Sequence, residues 1–186
     1  NYNSSAHMLW IGERTRFLDS AHVDYFSRIE NPVGIKFSAK ADADELCEII
    51  KVLNPQNESG KTILIHRFGI SEIHKLEDYI SKIKSLGLNA SWCSDPMHGN
   101  IKTCDGIKTR DFSDILSELK TSFEIHKSCS SILSGVHFEL TGDEVTECVG
   151  GISEIDHSDL SRNYQTYCDP RLNYSQSMEM AFLISQ

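Results

Sequence analysis

Three residues in separate segments have side chains of the kind that bind divalent metal ions. They are His98 in DPMHGN, Glu139 in VHFELTG and Asp169 in CDPRLN. One imidazole and two carboxylates form a ligand set of borderline to hard character, which suits manganese, iron, cobalt or zinc. The alternative is structural: His98 as a loop histidine, Glu139 as the partner of a neighbouring cation, and Asp169 as the cap of the last helix. The spacing alone leaves both interpretations open.

Three cations come where other apolar segments end. Arg14 follows HMLWI, Lys36 lies near the end of VGIKF, and Arg67 follows TILIH. An apolar segment that ends in a charge needs a partner for it, and arginine holds phosphate or carboxylate oxygens in a bidentate fork. Each cation taken singly is more commonly a solvated surface residue. Three in equivalent positions predict a site for a phosphorylated or carboxylated substrate.

Alternating strands and helices are expected to position these residues. Short apolar runs alternate with longer amphipathic runs, a pattern typical of βα units. The predicted strands are residues 7–11, 33–37, 62–66, 89–93 and 136–140. The predicted helices are residues 42–53, 73–86, 112–126 and 175–184. Such alternation predicts parallel strands covered by helices.

The predicted fold class is α/β, and two architectures fit it: an open doubly wound sheet and a (βα)8 TIM barrel. No GxGxxG or Walker motif follows any predicted strand, which disfavours a nucleotide-binding open sheet. We therefore expect an incomplete (βα)8 barrel with about five of the eight units. The carboxyl ends of barrel strands share one face, so the cations and the metal ligands are expected to converge there.

Composition disfavours several functional classes. The chain carries 18 Lys and Arg against 27 Asp and Glu, and this formal net charge of −9 argues against nucleic-acid binding. No apolar run approaches the roughly 20 residues that span a bilayer, and the first residues do not resemble a signal peptide. We therefore expect a cytoplasmic protein without membrane association. The six cysteines contain no CxxC pair and are expected to be reduced thiols.

Longer segments place these residues in a family context. The segments are SAHMLWIGERTR, NPVGIKF, LNPQNESGK, SDPMHGN, GIKTRDF, GVHFELTGDEVTECVGG and CDPRLNYSQSMEMAF. In order and spacing they resemble the class II 3-deoxy-D-arabino-heptulosonate-7-phosphate (DAHP) synthases, over essentially the whole chain. The resemblance implies a metal-dependent (βα)8 barrel transferase that condenses phosphoenolpyruvate with erythrose 4-phosphate and releases phosphate. This reaction opens the shikimate pathway to chorismate and the aromatic amino acids.

The resemblance also implies roles for individual residues. The residues that would bind phosphoenolpyruvate are Glu13, Arg14, Lys36 and Arg67. The metal ligands would be His98, Glu139 and Asp169, and the catalytic residues would be Lys36, Arg67 and His98. The implied ion is Mn²⁺, with Co²⁺, Fe²⁺, Zn²⁺ or Cd²⁺ as alternatives. The cations would neutralise the carboxylate and phosphate of phosphoenolpyruvate, and the metal would polarise the aldehyde of the sugar phosphate.

The chain departs from the family's pattern in three places. The family's fourth metal ligand is a cysteine on an early strand, and none of the six cysteines here stands in its motif. Ile101 follows DPMHGN directly, where the family usually has an extra residue. The sequence YQTY at residues 164–167 stands where YHTH is common. The histidines other than His98 have no ligand spacing and are expected to be structural.

The chain begins at Asn1 and ends at Gln186 within an apolar helical pattern. We expect residues 1–186 to be the carboxyl-terminal part of a single DAHP synthase barrel domain whose amino-terminal part is absent. Alone, such a piece is expected to be inactive and either prone to aggregation or unfolded. The full-length protein is expected to form a homo-oligomer. Two alternatives stay open: a truncated, inactive homologue that acts as a binding or regulatory subunit, and a paralogue that feeds a secondary pathway such as phenazine formation.

Overall fold

The computed structural model describes residues 1–185 and is built around a parallel β-sheet. Its strands are β1 (Leu9–Ile11), β2 (Val33–Phe37), β3 (Thr62–His66), β4 (Ser91–Ser94) and β7 (Leu133–Val136). They lie side by side in the order in which they occur along the chain, and every neighbouring pair is parallel. The remaining strands, β5 (Lys102–Cys104) and β6 (Ile107–Thr109), form an antiparallel hairpin.

Helices follow or connect the strands of the sheet. They are α1 (Ala21–Ser27), α2 (Ala43–Leu53), α3 (Leu76–Ser85), α4 (Phe112–Ser128) and α5 (Tyr174–Ile184). The alternation confirms the predicted α/β class with a parallel sheet, and strands that pair in chain order are the arrangement of a barrel wall. Within the described residues β1 and β7 do not pair, so closure into a (βα)8 barrel stays a prediction. In residues 1–185 no helix has both the length and the apolar character needed to cross a membrane.

Local sequence signals set the start of two helices. The Asp42 side chain accepts two backbone N–H groups of the first turn of α2, at 2.7 and 3.1 Å, and so acts as an N-cap. Asn173 caps α5 in a reciprocal pair with Gln176. The cap of the last helix is therefore Asn173, and the interpretation of Asp169 as that cap is wrong.

Two regions differ from the sequence predictions. The final strand occupies Leu133–Val136 rather than residues 136–140, because pairing with β4 sets Leu133 opposite Trp92 and Val136 opposite Ser94. Glu139 consequently follows the strand instead of lying inside it. The short helix α1 and the β5–β6 hairpin carry no long periodic pattern and escape prediction.

The apolar core lies between one face of the sheet and the helices. Ile35 and Phe37 of β2 are fully buried there, in one cluster with Leu46 and Ile50 of α2. Side chains alternate along a strand, so Lys36 points to the opposite face. There its Nζ lies 5.1 Å from the centre of the Trp10 ring. The strand β2 thereby separates the core from a polar face.

Candidate active site

The loop after β4 presents His98 in a fixed orientation. Asp95 is completely buried, and its Oδ1 accepts the backbone N–H groups of Met97 and His98, both at 3.2 Å. Its Oδ2 lies 2.7 Å from Nδ1 of His98, so Nδ1 donates to this carboxylate. The other ring nitrogen, Nε2, faces away from Asp95 and lies 3.2 Å from Oε1 of Glu139.

The three predicted metal ligands are brought together. One ligand atom from each of His98, Glu139 and Asp169 lies within 4.8 Å of the other two. A histidine whose second nitrogen is held by a carboxylate is the usual arrangement in metal sites, because that contact fixes the tautomer and the direction of the ring. The donor set therefore fits a divalent cation. No cysteine in residues 1–185 belongs to a group of this kind.

A buried arginine lies behind two of these ligands. Arg110, which follows β6, is fully buried, and its Nη2 lies 2.6 Å from Oε2 of Glu139. Its Nη1 donates a hydrogen bond to the carbonyl of Pro170, next to Asp169. Lys108 of β6 approaches the same loop, with its Nζ 3.3 Å from Oδ1 of Asp169. Arg110 thus contacts Glu139 and the segment that carries Asp169, and it fixes the position of one relative to the other.

Electrostatics keep the carboxylates of Glu139 and Asp95 ionised. Burial by itself would raise the pKa of Glu139, but the contacts with His98 and Arg110 outweigh it and lower the pKa to about 2. Burial likewise opposes ionisation of Asp95, and the hydrogen bond from His98 contributes to lowering its pKa to about 2. The hydrogen bonds to Asp95 and Glu139 raise the pKa of His98 to about 9. An imidazole between two carboxylates stabilises positive charge, whether a proton or a metal ion carries it.

The predicted anion-binding cations line a cavity beside these ligands. The cavity has a volume of about 630 Å³, and its lining includes Arg14, Lys36, Arg67, His98 and Asp169. Cations and candidate metal ligands therefore share one opening, as expected for side chains at the carboxyl ends of neighbouring parallel strands.

Lys36 connects the cations to His98. Its Nζ lies 3.5 Å from Oδ2 of Asp95, the carboxylate that also holds His98. It lies 3.4 Å from Nε2 of His137, so a histidine expected to be structural contributes to the polar face. Asp95 therefore contacts both a predicted substrate-binding residue and a predicted metal ligand.

Arg67 and Glu13 form a second connection. Nη1 of Arg67 lies 3.6 Å from Oε2 of Glu13, and its Nη2 donates to the carbonyl of His98 at 3.4 Å. Glu13 also accepts the backbone N–H of Ser38 at 3.0 Å, which fixes its carboxylate beyond the end of β2. Arg14 is exposed at the opening of the cavity. The guanidinium of Arg67 is thus oriented by a carboxylate while it faces the cavity.

Comparison with known proteins decides the family. The sequence profile of the class II DAHP synthetase family matches residues 1–185. The chain belongs to this family. Similar proteins include phospho-2-dehydro-3-deoxyheptonate aldolases from Streptomyces coelicolor, 49% identical over 187 residues, and from Neurospora crassa, 48% identical over 188 residues. The enzyme of that name, AroG, from Mycolicibacterium smegmatis is 43% identical over 187 residues.

The DAHP synthase relatives are longer than this chain. The three alignments cover 100%, 99% and 100% of the chain but 42%, 39% and 40% of the relatives. The chain therefore spans about two fifths of the length of the curated relatives that it matches. The family generally uses a divalent metal, and the group His98, Glu139 and Asp169 offers donors for one.

Two residues of this candidate site, Asp95 and Arg110, cannot be recognised from residue type and spacing. Asp95 has the pattern of a turn residue before proline, and Arg110 has that of a surface cation. Both lie in segments that resemble the family, SDPMHGN and GIKTRDF, and that is the one signal in the sequence that singles them out. Their roles depend on burial and on contacts across the fold, which spacing along the chain does not reveal.

Proposed function

We propose that the full-length protein is a 3-deoxy-7-phosphoheptulonate synthase, which condenses phosphoenolpyruvate with erythrose 4-phosphate in the first step of the shikimate pathway. The observation that carries this proposal is the cavity shared by two groups of residues. Candidate metal ligands at its wall, His98 and Asp169, lie beside the cations Lys36 and Arg67. The names of the relatives support the same activity.

Phosphoenolpyruvate would bind to the cations of the cavity. Arg67 and Arg14 offer guanidinium forks that suit phosphate or carboxylate oxygens, and Lys36 offers a compact charge. Glu13 would orient Arg67, since the two side chains lie 3.6 Å apart. Two or more cations at one opening neutralise a trianionic substrate that a protein of net charge −9 would otherwise repel.

The second substrate would bind next to the ligand group. A divalent ion, for which we propose Mn²⁺ with Co²⁺, Fe²⁺, Zn²⁺ or Cd²⁺ as alternatives, would be held by His98, Glu139 and Asp169 and would supply Lewis-acid polarisation of the aldehyde. Carbon three of phosphoenolpyruvate then forms a bond to the aldehyde carbon, water adds at carbon two, and phosphate leaves. Lys36 is the proposed donor of the proton that the former aldehyde oxygen takes up.

Residues 1–186 would form the carboxyl-terminal part of one (βα)8 barrel domain, because five parallel strands pair in chain order and the relatives are longer. We propose a cytoplasmic homo-oligomer for the full-length protein. An inactive homologue that serves as a regulatory subunit, and a paralogue of secondary metabolism with the same chemistry, are the alternatives.

Release of inorganic phosphate from phosphoenolpyruvate and erythrose 4-phosphate tests the function. The full-length protein is assayed with Mn²⁺ and, separately, with a chelator. We expect activity with the metal, its loss with the chelator, and a fall of at least about 100-fold in Lys36→Met, because that change removes a charge that contacts the reacting groups. The exposed Lys51→Met, on α2, is the matched control. A folded, metal-binding protein without activity would favour the regulatory-subunit alternative.

A further inference from the structure

A buried carboxylate on α4 does not reach the cavity. Glu118 is fully buried, and its Oε1 accepts the backbone N–H groups of Phe68 and Gly69 at 3.2 and 3.1 Å. Its Oε2 lies 2.6 Å from Nδ2 of Asn100. No cation of residues 1–185 forms an ion pair with it. Because a buried carboxylate without a cation is costly, its contacts call for an explanation.

The groups that donate hydrogen bonds to Glu118 belong to two loops of the candidate site. Phe68 and Gly69 directly follow Arg67 after β3, and Asn100 comes two residues after His98 in the loop after β4. Asn100 forms further hydrogen bonds to both loops. Its Oδ1 accepts the backbone N–H of Ile70 at 3.0 Å, and its Nδ2 also donates to the carbonyl of Pro96 at 2.8 Å. One pair of side chains therefore contacts both loops.

The two loops pack backbone against backbone. A Cβ on Gly99 would lie 2.2 Å from the backbone nitrogen of Gly69, and a Cβ on Gly69 would lie 2.6 Å from the carbonyl oxygen of Gly99. Nη2 of Arg67 donates across the same gap to the carbonyl of His98 at 3.4 Å. With no side chain between the two glycines, a shift of one loop is transmitted directly to the other.

We propose that Glu118 is a positioning residue that fixes the relative position of Arg67 and His98. Its side chain holds the loop of Arg67 and the loop of His98 in one hydrogen-bonded unit and is not part of the lining of the cavity. The proposal rests on the function proposed above for the cavity, because that function requires a fixed relative position of Arg67 and His98. Glu118 itself touches neither substrate nor metal.

Glu118→Gln in the full-length protein tests the proposal. The amide keeps one acceptor for the two backbone N–H groups, but its NH₂ then meets Nδ2 of Asn100, so two donors face each other. Asn100 cannot turn over without losing its bonds to Ile70 and Pro96. Glu124→Gln makes the same replacement on the exposed face of the same helix and is the matched control.

Three readouts are compared in wild type and both variants: hydrogen–deuterium exchange of backbone amides, the Kd for Mn²⁺ alone, and kcat/KM for phosphoenolpyruvate. In Glu118→Gln we expect exchange about tenfold faster in residues 68–70 and 97–100 only. We expect Mn²⁺ binding and kcat/KM to fall by about tenfold each, as for other residues that orient metal ligands. Glu124→Gln is expected to match the wild type.

Unchanged exchange in both loops, or faster exchange with unchanged Mn²⁺ affinity and kcat/KM, would overturn the proposal. Should Glu118→Gln fail to fold, Glu118→Asp takes its place, because the shorter side chain keeps the carboxyl group but withdraws it from the backbone amides. A wild type without phosphate release would remove the proposed function, whereas the exchange and Mn²⁺ readouts would still decide whether Glu118 holds the two loops.

Discussion

Asp95 decides which nitrogen of His98 is presented to the other candidate ligands. Its Oδ2 lies 2.7 Å from Nδ1, and its Oδ1 accepts two backbone N–H groups of the same loop. A carboxylate accepts from Nδ1–H, so Nε2 is left to bind an electrophile. The same carboxylate lies 3.5 Å from Nζ of Lys36, which places the ammonium beside the histidine.

Asp95→Asn is expected to weaken Mn²⁺ binding by about 10- to 100-fold. The asparagine oxygen can still accept the backbone N–H groups, but its NH₂ would face Nδ1 of His98. The imidazole would then carry its proton on Nε2, which blocks that nitrogen as a ligand. Titration calorimetry of the full-length protein measures the effect, with the exposed Asp78→Asn on α3 as control. Equal Mn²⁺ affinity in Asp95→Asn and wild type would show that Asp95 does not set the tautomer.

Residue types and positions at strand ends are enough to select the candidate ligands and cations from the sequence. The structure brings these residues to one cavity, because parallel neighbouring strands end on one side. Asp95, Arg110 and Glu118 are different, because their importance comes from full burial. Charged residues are ordinarily exposed, so residue type and spacing do not indicate that these three lie behind the site.

At the scale of elements, pairing between strands decides where polar side chains fall. The apolar residues around β7 extend past its end, which favours a predicted strand at residues 136–140. The observed strand ends at Val136, because its register is set by β4, with an irregularity between Trp92 and Cys93. Glu139 therefore lies in the segment that follows the strand. Local apolar patterns do not resolve an error of this size, three residues at the start of the strand and four at its end.

Gly99→Ala is expected to separate the two loops and lower kcat/KM by about 100-fold. The new Cβ would lie 2.2 Å from the backbone nitrogen of Gly69, a distance that forces the loops apart. Displacement of a catalytic group by about 1 Å has an effect of this order on rate. Steady-state phosphate release measures it. Gly142→Ala, where an added Cβ meets no heavy atom within 4 Å, is the control. Near-normal kcat/KM in Gly99→Ala would contradict the close packing of the loops.

At the scale of the whole molecule, two buried histidines affect acid stability. Burial lowers the pKa of His66 to about 3 and that of His126 to about 4, from an ordinary value of 6.5. Both are neutral in the folded protein, whereas the unfolded chain takes up protons below about pH 6.5. The two neutral histidines therefore contribute fully to the free energy of unfolding above pH 6.5. This contribution is lost as the pH falls towards 4.

His126→Asn is expected to weaken the pH dependence of the free energy of unfolding. Asparagine does not titrate, and its amide can contact the hydroxyl of Ser131, which now lies 3.0 Å from Nδ1 of His126. Between pH 6.5 and pH 4, the free energy of unfolding is expected to fall by up to about 3 kcal/mol more in the wild type than in His126→Asn. Urea unfolding across this range measures the difference, with the exposed His74→Asn as control. Parallel pH curves for wild type and His126→Asn would show that His126 is not the source.

The overall class of the fold follows from the alternation of apolar runs, and the parallel sheet of five strands agrees with it. Closure of the sheet into a barrel stays a prediction, and the relatives are more than twice as long as this chain. The sheet and its helices already bring together the cavity, the candidate ligands and the two loops that carry Arg67 and His98.

The most direct measurement is a crystal structure of the full-length protein with Mn²⁺ and phosphoenolpyruvate, with the ion located by its anomalous scattering. We predict one ion bound by Nε2 of His98 and by carboxylate oxygens of Glu139 and Asp169. We predict that the phosphate and carboxylate of phosphoenolpyruvate contact Lys36 and Arg67 in the same cavity. An ion bound elsewhere, or a ligand bound away from these two cations, would contradict the account.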